Sequence, residues 1–487
     1  MTMHAEKKPE TGILARVETR SIDYVPHSER GGRLTDQATI WFGGSAHLMS
    51  LATGAIGIYL GLNLVWTIIG LALGTLIGTA AVSAHATQGP HLGLPQMVQS
   101  RPQFGRLGAL YIWMIAIIVY WGYVVLGTQM LGGAAHEMNW GEAPPWTIVF
   151  GIIAIAIAIF GYHYLHIVQR YVTIGLVAAL LVYVLGIAFG GHVPTGMMDV
   201  TQGFELSSFL VVISASAAYQ LSWAFFVSDY SRYMPADTKR GPIIAYTSVG
   251  LYFGVWSFEV LGAICAALMP DEVSITKALN DTANLVFPGF GVIIMIIGGA
   301  GLLGLMAMCV YGGSLTLITA IDSIRSIRPT RRIRVITILL VGVTGTIAAV
   351  LLPEDFLFTT FYTILAILAY LMAPWTSINL VDFFLVRKGN YSITEIFKRN
   401  GMYGDWNWRG ITAYLVTFVV MLPFMYLEFY QGFIATAMGG IDIAFFVGIP
   451  VGMLVYWLLC RNMDLDAERA RIAESDKDLE TMGKPIE

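Results

Sequence analysis

Two ionisable residues interrupt long apolar runs of this sequence: His47 within WFGGSAHLMS (41–50) and Glu259 within the run 243–268. An ionisable group at the centre of a membrane helix costs about 2.5–3.5 kcal/mol on insertion scales, so each needs a reason to be there. Either could carry a proton, since an imidazole titrates near about 6.5 and shifts readily with its surroundings. The alternatives are structural: a neutral His47 imidazole satisfied by a neighbouring helix, and a Glu259 carboxyl hydrogen-bonded to another helix. His163 and His166 fall at the end of an apolar run, where a solvated interfacial role fits better than ligand binding.

Four aromatic residues lie deep enough to line a central cavity: Trp121 and Tyr123 in one run, Tyr219 and Trp223 in another. A flat aromatic ligand held between two such faces gains about 1–3 kcal/mol per stacking contact. Gln129 and Gln220 would add paired donors and acceptors to read the ligand's edge. Ordinary packing explains any one of these aromatics, and explains two on facing spans less well. Trp146, Trp406 and Trp408 belong to the membrane-interface belt.

Other chemistries lack their residues. No GxxxxGKS/T loop, HExxH or Gly-x-Ser-x-Gly elbow is present, so an ATP-driven pump and an intramembrane hydrolase are disfavoured. Cys265, Cys309 and Cys460 are far apart and form no CxxC pair, so neither a disulfide framework nor a metal site is signalled.

The elements that must position these residues are membrane helices. Charged residues make up only 12% of the chain and apolar ones 56%, whereas a soluble domain carries about 25% charged residues. Apolar runs of about 20 residues can be placed at 38–60, 64–84, 107–133, 146–162, 171–190, 208–228, 243–268, 290–313, 335–352, 358–385, 411–430 and 440–460. Their unbroken apolarity argues helices over the alternating strands of a barrel. Of the 28 lysines and arginines, all but Lys277 then fall on one side of the bilayer. Positively charged loops stay cytoplasmic, so both termini are expected inside the cell and the number of spans is even. The first forty residues are polar and show no cleavable leader. The stretch 461–487 reads as a short solvated helix or tail, and Pro374 as a kink.

Span 1 carries WFGGSAHLMS (41–50) and span 6 carries VISASAAYQLSW (212–223), five spans apart. Small-residue interruptions at matching places in two halves point to an inverted repeat whose broken helices expose backbone to a substrate at mid-membrane. Close packing through Gly, Ala and Ser is the competing explanation.

Three strings carry a family resemblance: HATQGPHLGLPQMVQSRPQFGRLGAL (85–110), SDYSRYMP (228–235) and DYVPHSERGG (23–32). They resemble the nucleobase-cation symporter-1 family of cytosine, purine, allantoin and hydantoin permeases. The resemblance implies an all-α leucine-transporter-type fold of about twelve transmembrane helices: two inverted five-span repeats, at about 37–190 and 207–386, and two extra helices at about 411–460. Residues 1–36 and 461–487 would be cytoplasmic. It also implies a heterocyclic substrate between a span 3 aromatic, matched here by Trp121, and a span 6 partner at Tyr219, Gln220 or Trp223. Gly43, Gly44 and Ser45 fall where span 1 breaks. ITKALNDTANLVFPG (275–289) resembles the external lid.

The sequence departs from the family pattern in span 8, where Met308 and Cys309 stand in place of an amide, and in span 3, where Val125 follows Trp121 by one turn. A less polar or differently substituted heterocycle is therefore plausible. Sodium sites of this fold use span 8 hydroxyls, and GGAGLLGLMAM (298–308) has none, so a proton is favoured over sodium as the coupling ion.

The expectation is a monomeric secondary transporter of the inner (cell) membrane that imports a nucleobase or related heterocycle. It would bind no cofactor and no nucleic acid. Its substrate would be held by Gly44, Ser45, Trp121, Gln129, Tyr219, Gln220, Trp223 and Cys309, and its ion by His47 and Glu259. The alternatives are a ligand-binding sensor on the same scaffold, or a permease for a thiamine precursor or small guanidino compound. A channel is disfavoured, because no filter or pore-loop signal is present.

Overall fold

The computed structural model describes residues 21–160, 162–193, 195–272, 274–327, 330–353 and 356–482; the side chains of His163 and His166 lie outside the described ones. The chain begins with α1 (Leu34–Ser45), α2 (Leu48–Tyr59) and α3 (Leu64–Ala86). The short α4 (Gln88–Leu92) and α5 (Arg101–Phe104) lead to the long α6 (Leu110–Glu137), α7 (Ala143–Phe160) and α8 (Tyr162–Phe189). Next come α9 (Leu206–Leu221), α10 (Val227–Ser231), α11 (Arg240–Leu268), the short α12 (Ile275–Ala283), α13 (Phe290–Ile324) and α14 (Arg331–Leu351). The series closes with α15 (Phe356–Val381), α16 (Ile393–Phe397), α17 (Trp408–Met421), α18 (Phe433–Ala437), α19 (Ala444–Cys460) and α20 (Asp466–Met482).

Among the described residues nine helices are long and apolar enough to cross a membrane, and shorter apolar helices lie at Leu48–Tyr59, Trp408–Phe424 and Ala444–Cys460. The short ones complete a twelve-span layout: α2 is the second half of a broken span 1, and α17 and α19 are the two additional spans. Polar side chains start several helices. Asn63 Oδ1 accepts from Trp66 N–H at 3.1 Å, and Thr330 Oγ1 accepts from Ile333 N–H at 3.3 Å. Such caps satisfy donors that lipid could not.

Three expectations need correction. Span 11 ends as a helix at Met421 and passes through a turn at Leu422–Phe424, not at residue 430; Tyr426–Leu427 then pairs antiparallel with Tyr430–Gln431. Span 8 runs eleven residues past its expected end, to Ile324. Arg101 holds this extension by reaching Thr319 O and Asp322, the latter at 2.9 Å. The C-terminal stretch forms a helix, one of its two expected forms, but α20 is docked rather than fully solvated: it buries Glu468 and Leu479, and Leu479 joins an apolar cluster with Leu94, Ile318, Phe383 and Ile396. α15 runs through Pro374 without ending.

Helix backbones touch where glycines allow it. A Cβ at Gly54 of α2 would lie 1.8 Å from Glu259 O of α11, and one at Gly262 of α11 would lie 2.1 Å from Leu51 O. α2 and α11 therefore meet backbone to backbone, which fixes the height of Glu259 beside span 1. Gly74 likewise lets α3 approach α9, where a Cβ would lie 2.4 Å from Ile213 O.

Candidate substrate and ion site

Span 1 breaks at Ala46–His47, just beyond the Gly-Gly pair. α1 stops at Ser45, His47 is extended (φ −159°, ψ 169°), and α2 starts at Leu48. Two adjacent glycines weaken the end of α1, and the freed Ser45 carbonyl is taken up locally, accepting from Ser50 Oγ at 3.0 Å. Span 6 breaks later than its run of small residues suggested. α9 holds to Leu221, a tight turn covers Ser222–Phe225, and Phe226 (φ −138°, ψ 9°) precedes α10. Its loose carbonyls also find hydroxyls: Ser222 Oγ donates to Tyr219 O at 2.7 Å, and Tyr120 Oη of α6 donates to Phe225 O at 3.0 Å. Irregular backbone survives at membrane depth only when it is satisfied in this way.

The two breaks are joined by one contact. His47 Nε2 lies 3.2 Å from Tyr219 Oη, and Tyr219 Oη lies 3.1 Å from Ser50 Oγ. Tyr123 packs edge-on against Tyr219 (ring centroids 6.4 Å apart, interplanar angle 77°), with its hydroxyl 2.8 Å from Ser222 Oγ. Trp223 closes the group, 6.2 Å from His47 and 5.9 Å from Trp41, with Phe226 at 5.3 Å. His47, Ser45, Ser50 and Tyr219 are all fully buried. His47 Nδ1, Ser45 Oγ and Trp223 Nε1 are buried and have no hydrogen-bond partner among the described residues.

Not every residue singled out from the sequence comes to this hinge. Trp121 does not: it is partly exposed and its Nε1 donates to Thr344 Oγ1 of α14 at 3.2 Å, so the aromatics that α6 brings to the breaks are Tyr120 and Tyr123. The buried face of α6 runs through Ala116, Tyr120, Tyr123 and Gly127, and Trp121 lies off it. Gln129 also turns away, donating to Leu352 O and Pro353 O at 3.1 Å. Gln220 faces α3, donating to Thr79 Oγ1 at 2.7 Å.

The other candidates lie in or beside the hinge walls. Gly44 lies against Met308 of α13, with a Cβ position 2.9 Å from Sδ, and Ser45 lies against Gly254 of α11. Cys309 is fully buried on α13, next to Met308. Glu259 sits behind the hinge, where Oε2 accepts from Thr75 Oγ1 at 2.8 Å and from Ser216 Oγ at 2.9 Å.

Ser50, Tyr120, Ser222 and Gln169 were missed in the sequence. Gln169 of α8 is fully buried between α1 and α13, its amide beside the Cβ positions of Gly43 and Gly304. Nothing in one sequence separates such hydroxyls and amides from those that merely bond their own helix. Among the described residues no three His, Cys, Asp or Glu side chains cluster as metal ligands.

The motif strings lie on the side of the hinge where α3 ends and α10 begins, and they hold each other. Asp229 Oδ1 accepts from Gln96 N–H at 2.8 Å, Ser228 Oγ donates to His85 O at 3.2 Å, and His85 stacks flat on Trp375 at 5.0 Å. They form a plug between α3, α10 and α15.

Comparison with known proteins agrees with this architecture. Residues 24–448 match the family described as permease for cytosine/purines, uracil, thiamine and allantoin. A Bacillus subtilis (strain 168) protein provisionally named purine-cytosine permease YxlA is 32% identical over 455 residues, covering 92% of this chain and 96% of that protein. The purine-cytosine permease fcyB of Emericella nidulans is 24% identical over 470 residues, covering 91% and 88%. The solved structure of Mhp1, a nucleobase-cation-symport-1 family transporter with bromovinylhydantoin bound, superposes with a TM-score of 0.72 at 18% identity, over 95% of this chain and 99% of Mhp1. That likeness carries the fold, an all-α leucine-transporter-type arrangement with broken spans 1 and 6. The chain therefore belongs to the nucleobase-cation symporter-1 family, and is a multi-pass membrane transporter and not an enzyme.

Proposed function

We propose that this transporter imports a nucleobase or closely related nitrogen heterocycle together with a proton, by alternating access about the two breaks. The observation that carries the reading is the hydrogen-bond chain through the hinge, because its proton pattern follows from its partners. With Ser50 donating to Ser45 O, Tyr219 Oη donates to Ser50 and accepts from His47 Nε2–H. His47 Nδ1 is left as a buried lone pair with no donor.

An unpaired buried group of this kind costs about 1–3 kcal/mol. A ring N–H of a heterocycle or a proton would remove that cost. Trp223 Nε1–H offers the complementary donor, and Tyr123 and Tyr219 offer ring faces. The names of the purine-cytosine permease relatives support the substrate class. Met308 and Cys309 on the α13 wall favour a ring with a less polar edge.

A proton is preferred to sodium because the gap between α1 and α13 is filled by the neutral Gln169 amide. In this reading repeats one and two span about 37–190 and 207–386. The protein works as a monomer in the cell membrane, with both termini cytoplasmic, a reading supported by the arginine and lysine distribution.

The test is thermal stabilisation of purified protein by cytosine, uracil, purines, hydantoins, allantoin, thiamine pyrimidines and guanidino compounds, with and without sodium and at two pH values. Stabilisation by one heterocycle, dependent on pH and indifferent to sodium, is expected. Sodium-dependent stabilisation that ignores pH would overturn the proton reading, and silence across the panel would overturn the substrate class.

A further inference from the structure

Among the described residues Glu259 is the one fully buried acid behind the hinge. Its Oε2 accepts from Thr75 of α3 and Ser216 of α9, its Oε1 has no hydrogen-bond partner, and it takes part in no ion pair among the described residues. A buried carboxylate left with two neutral donors and no counter-charge is costly, and the usual escape is to hold a proton.

The hydroxyl cage can accommodate both forms without moving an oxygen. In the ionised form Thr75 and Ser216 both donate to Oε2. In the protonated form Oε2–H donates to Ser216 Oγ, Ser216 donates to Thr75 Oγ1 at 2.9 Å, and Thr75 donates to Leu71 O at 2.8 Å. Ser216 Oγ also lies 3.2 Å from Leu71 O, so the chain has a second route to the same acceptor. One proton enters, two hydroxyls reverse, and the hydroxyls of Thr75 and Ser216 and the Oε2 atom stay paired in both forms.

Few groups compete for that proton. α9 carries Tyr219, one turn beyond Ser216, and α11 itself carries Tyr252 two turns before Glu259 and Cys265 less than two turns after it. α2 brings Tyr59 at its far end, α3 brings His85 at its far end, and His47 is reached only through Tyr219. Ser216 precedes Tyr219 by three residues on α9, so the cage and the substrate hinge share one helix.

We propose that Glu259, caged by Thr75 and Ser216, is a proton-binding site that loads and unloads in each transport cycle, separate from the substrate hinge. The proposal rests on the reading of proton-coupled import given above. Its test uses the full-length protein in two measurements. In an infrared pH titration of substrate-free protein, a protonated-carboxyl band that titrates and shifts in D2O is expected in the wild type and absent from Glu259→Gln. Glu259→Asp, which keeps a carboxyl but draws it one methylene nearer the backbone, is expected to retain a band with a displaced midpoint.

In proteoliposomes with radiolabelled cytosine, a gradient of one pH unit, worth about 1.4 kcal/mol, should drive about tenfold accumulation at one proton per substrate in the wild type and none in Glu259→Gln. If no band separates wild type from Glu259→Gln, the site is overturned whatever transport shows. Full accumulation by a folded Glu259→Gln would also overturn it. A wild type that shows the band and accumulates without regard to pH would overturn the coupling reading, and with it the role proposed for the site.

Discussion

Acidic residues are buried at two levels of this molecule, and they are kept there by opposite means. At the end of α15, Asp382 is fully buried and accepts from Arg387, from Gln103 Nε2 at 2.6 Å, and from Tyr391 and Tyr456 at 2.9 Å. Glu468 of α20 is paired with the same guanidinium at 3.0 and 3.1 Å and accepts from Tyr403. Behind the hinge, Glu259 has two hydroxyls and no cation.

The first arrangement is a clamp: one guanidinium offsets the burial of two carboxylates, and removing it leaves both without a counter-charge. The second has nothing to strand. The same residue type is thus a rivet where it meets a fixed counter-charge and a proton carrier where its partners can reverse direction. The clamp ties α5, α15, α19 and α20 together on the face where the motif strings also meet.

The comparison is broken most directly at Arg387. Arg387→Ala leaves two buried carboxylates without a cation, and a loss of about 3–5 kcal/mol in unfolding free energy in detergent is expected. Glu259→Gln keeps both hydroxyl partners and should cost less than about 1 kcal/mol in the same measurement. Equal losses would dissolve the distinction between rivet and carrier. Next in size is Tyr219→Phe, which removes the hydroxyl between His47 and Ser50. Stranding the His47 Nε2–H should cost about 1–3 kcal/mol of stability or of ligand binding. An unchanged variant in both assays would show that the hinge chain is not closed through Tyr219.

A third comparison lies within α6. Tyr123→Ala removes a ring edge from Tyr219 and a hydroxyl from Ser222, and should lower heterocycle affinity by about five- to a hundredfold, the equivalent of about 1–3 kcal/mol. Trp121→Ala, which removes contacts with Thr344 and the neighbourhood of Gly345 on α14, should change affinity by less than about twofold. The reverse order would restore Trp121 to the site. Their difference also marks how far the sequence could be read. The membrane class, the two broken spans, and His47 and Glu259 as buried ionisable groups were legible, because charge and small residues stand out in apolar runs. Which face of α6 looks inward was not, because a helix packed partly on lipid is apolar all round and loses its periodic signal. The docking of α20 was hidden for a related reason: in AERARIAESDKDLE a lone Glu468 that meets a buried arginine looks like any solvated charge. The span 6 break falls at Ser222–Phe226, after the small residues, because Tyr120 of another helix satisfies it there.

The smallest expected effect comes from an acid that is neither clamped nor caged. Glu205 is exposed at the start of α9 and caps it, accepting from Ser207 N–H at 3.0 Å and Ser208 N–H at 2.6 Å. The Ser207 hydroxyl and these backbone donors hold its carboxyl down at about 2, from an ordinary 4.5. Because the folded value lies below the unfolded one, the cap contributes fully above about pH 4.5 and is lost as pH falls towards about 2. Glu205→Gln should therefore cost about 1 kcal/mol or less near neutrality and converge with the wild type in acid. A cost that persisted at low pH would mean that the side chain matters through packing rather than charge. A cost as large as that of Arg387→Ala would mean that burial is not what sets the scale of these acids.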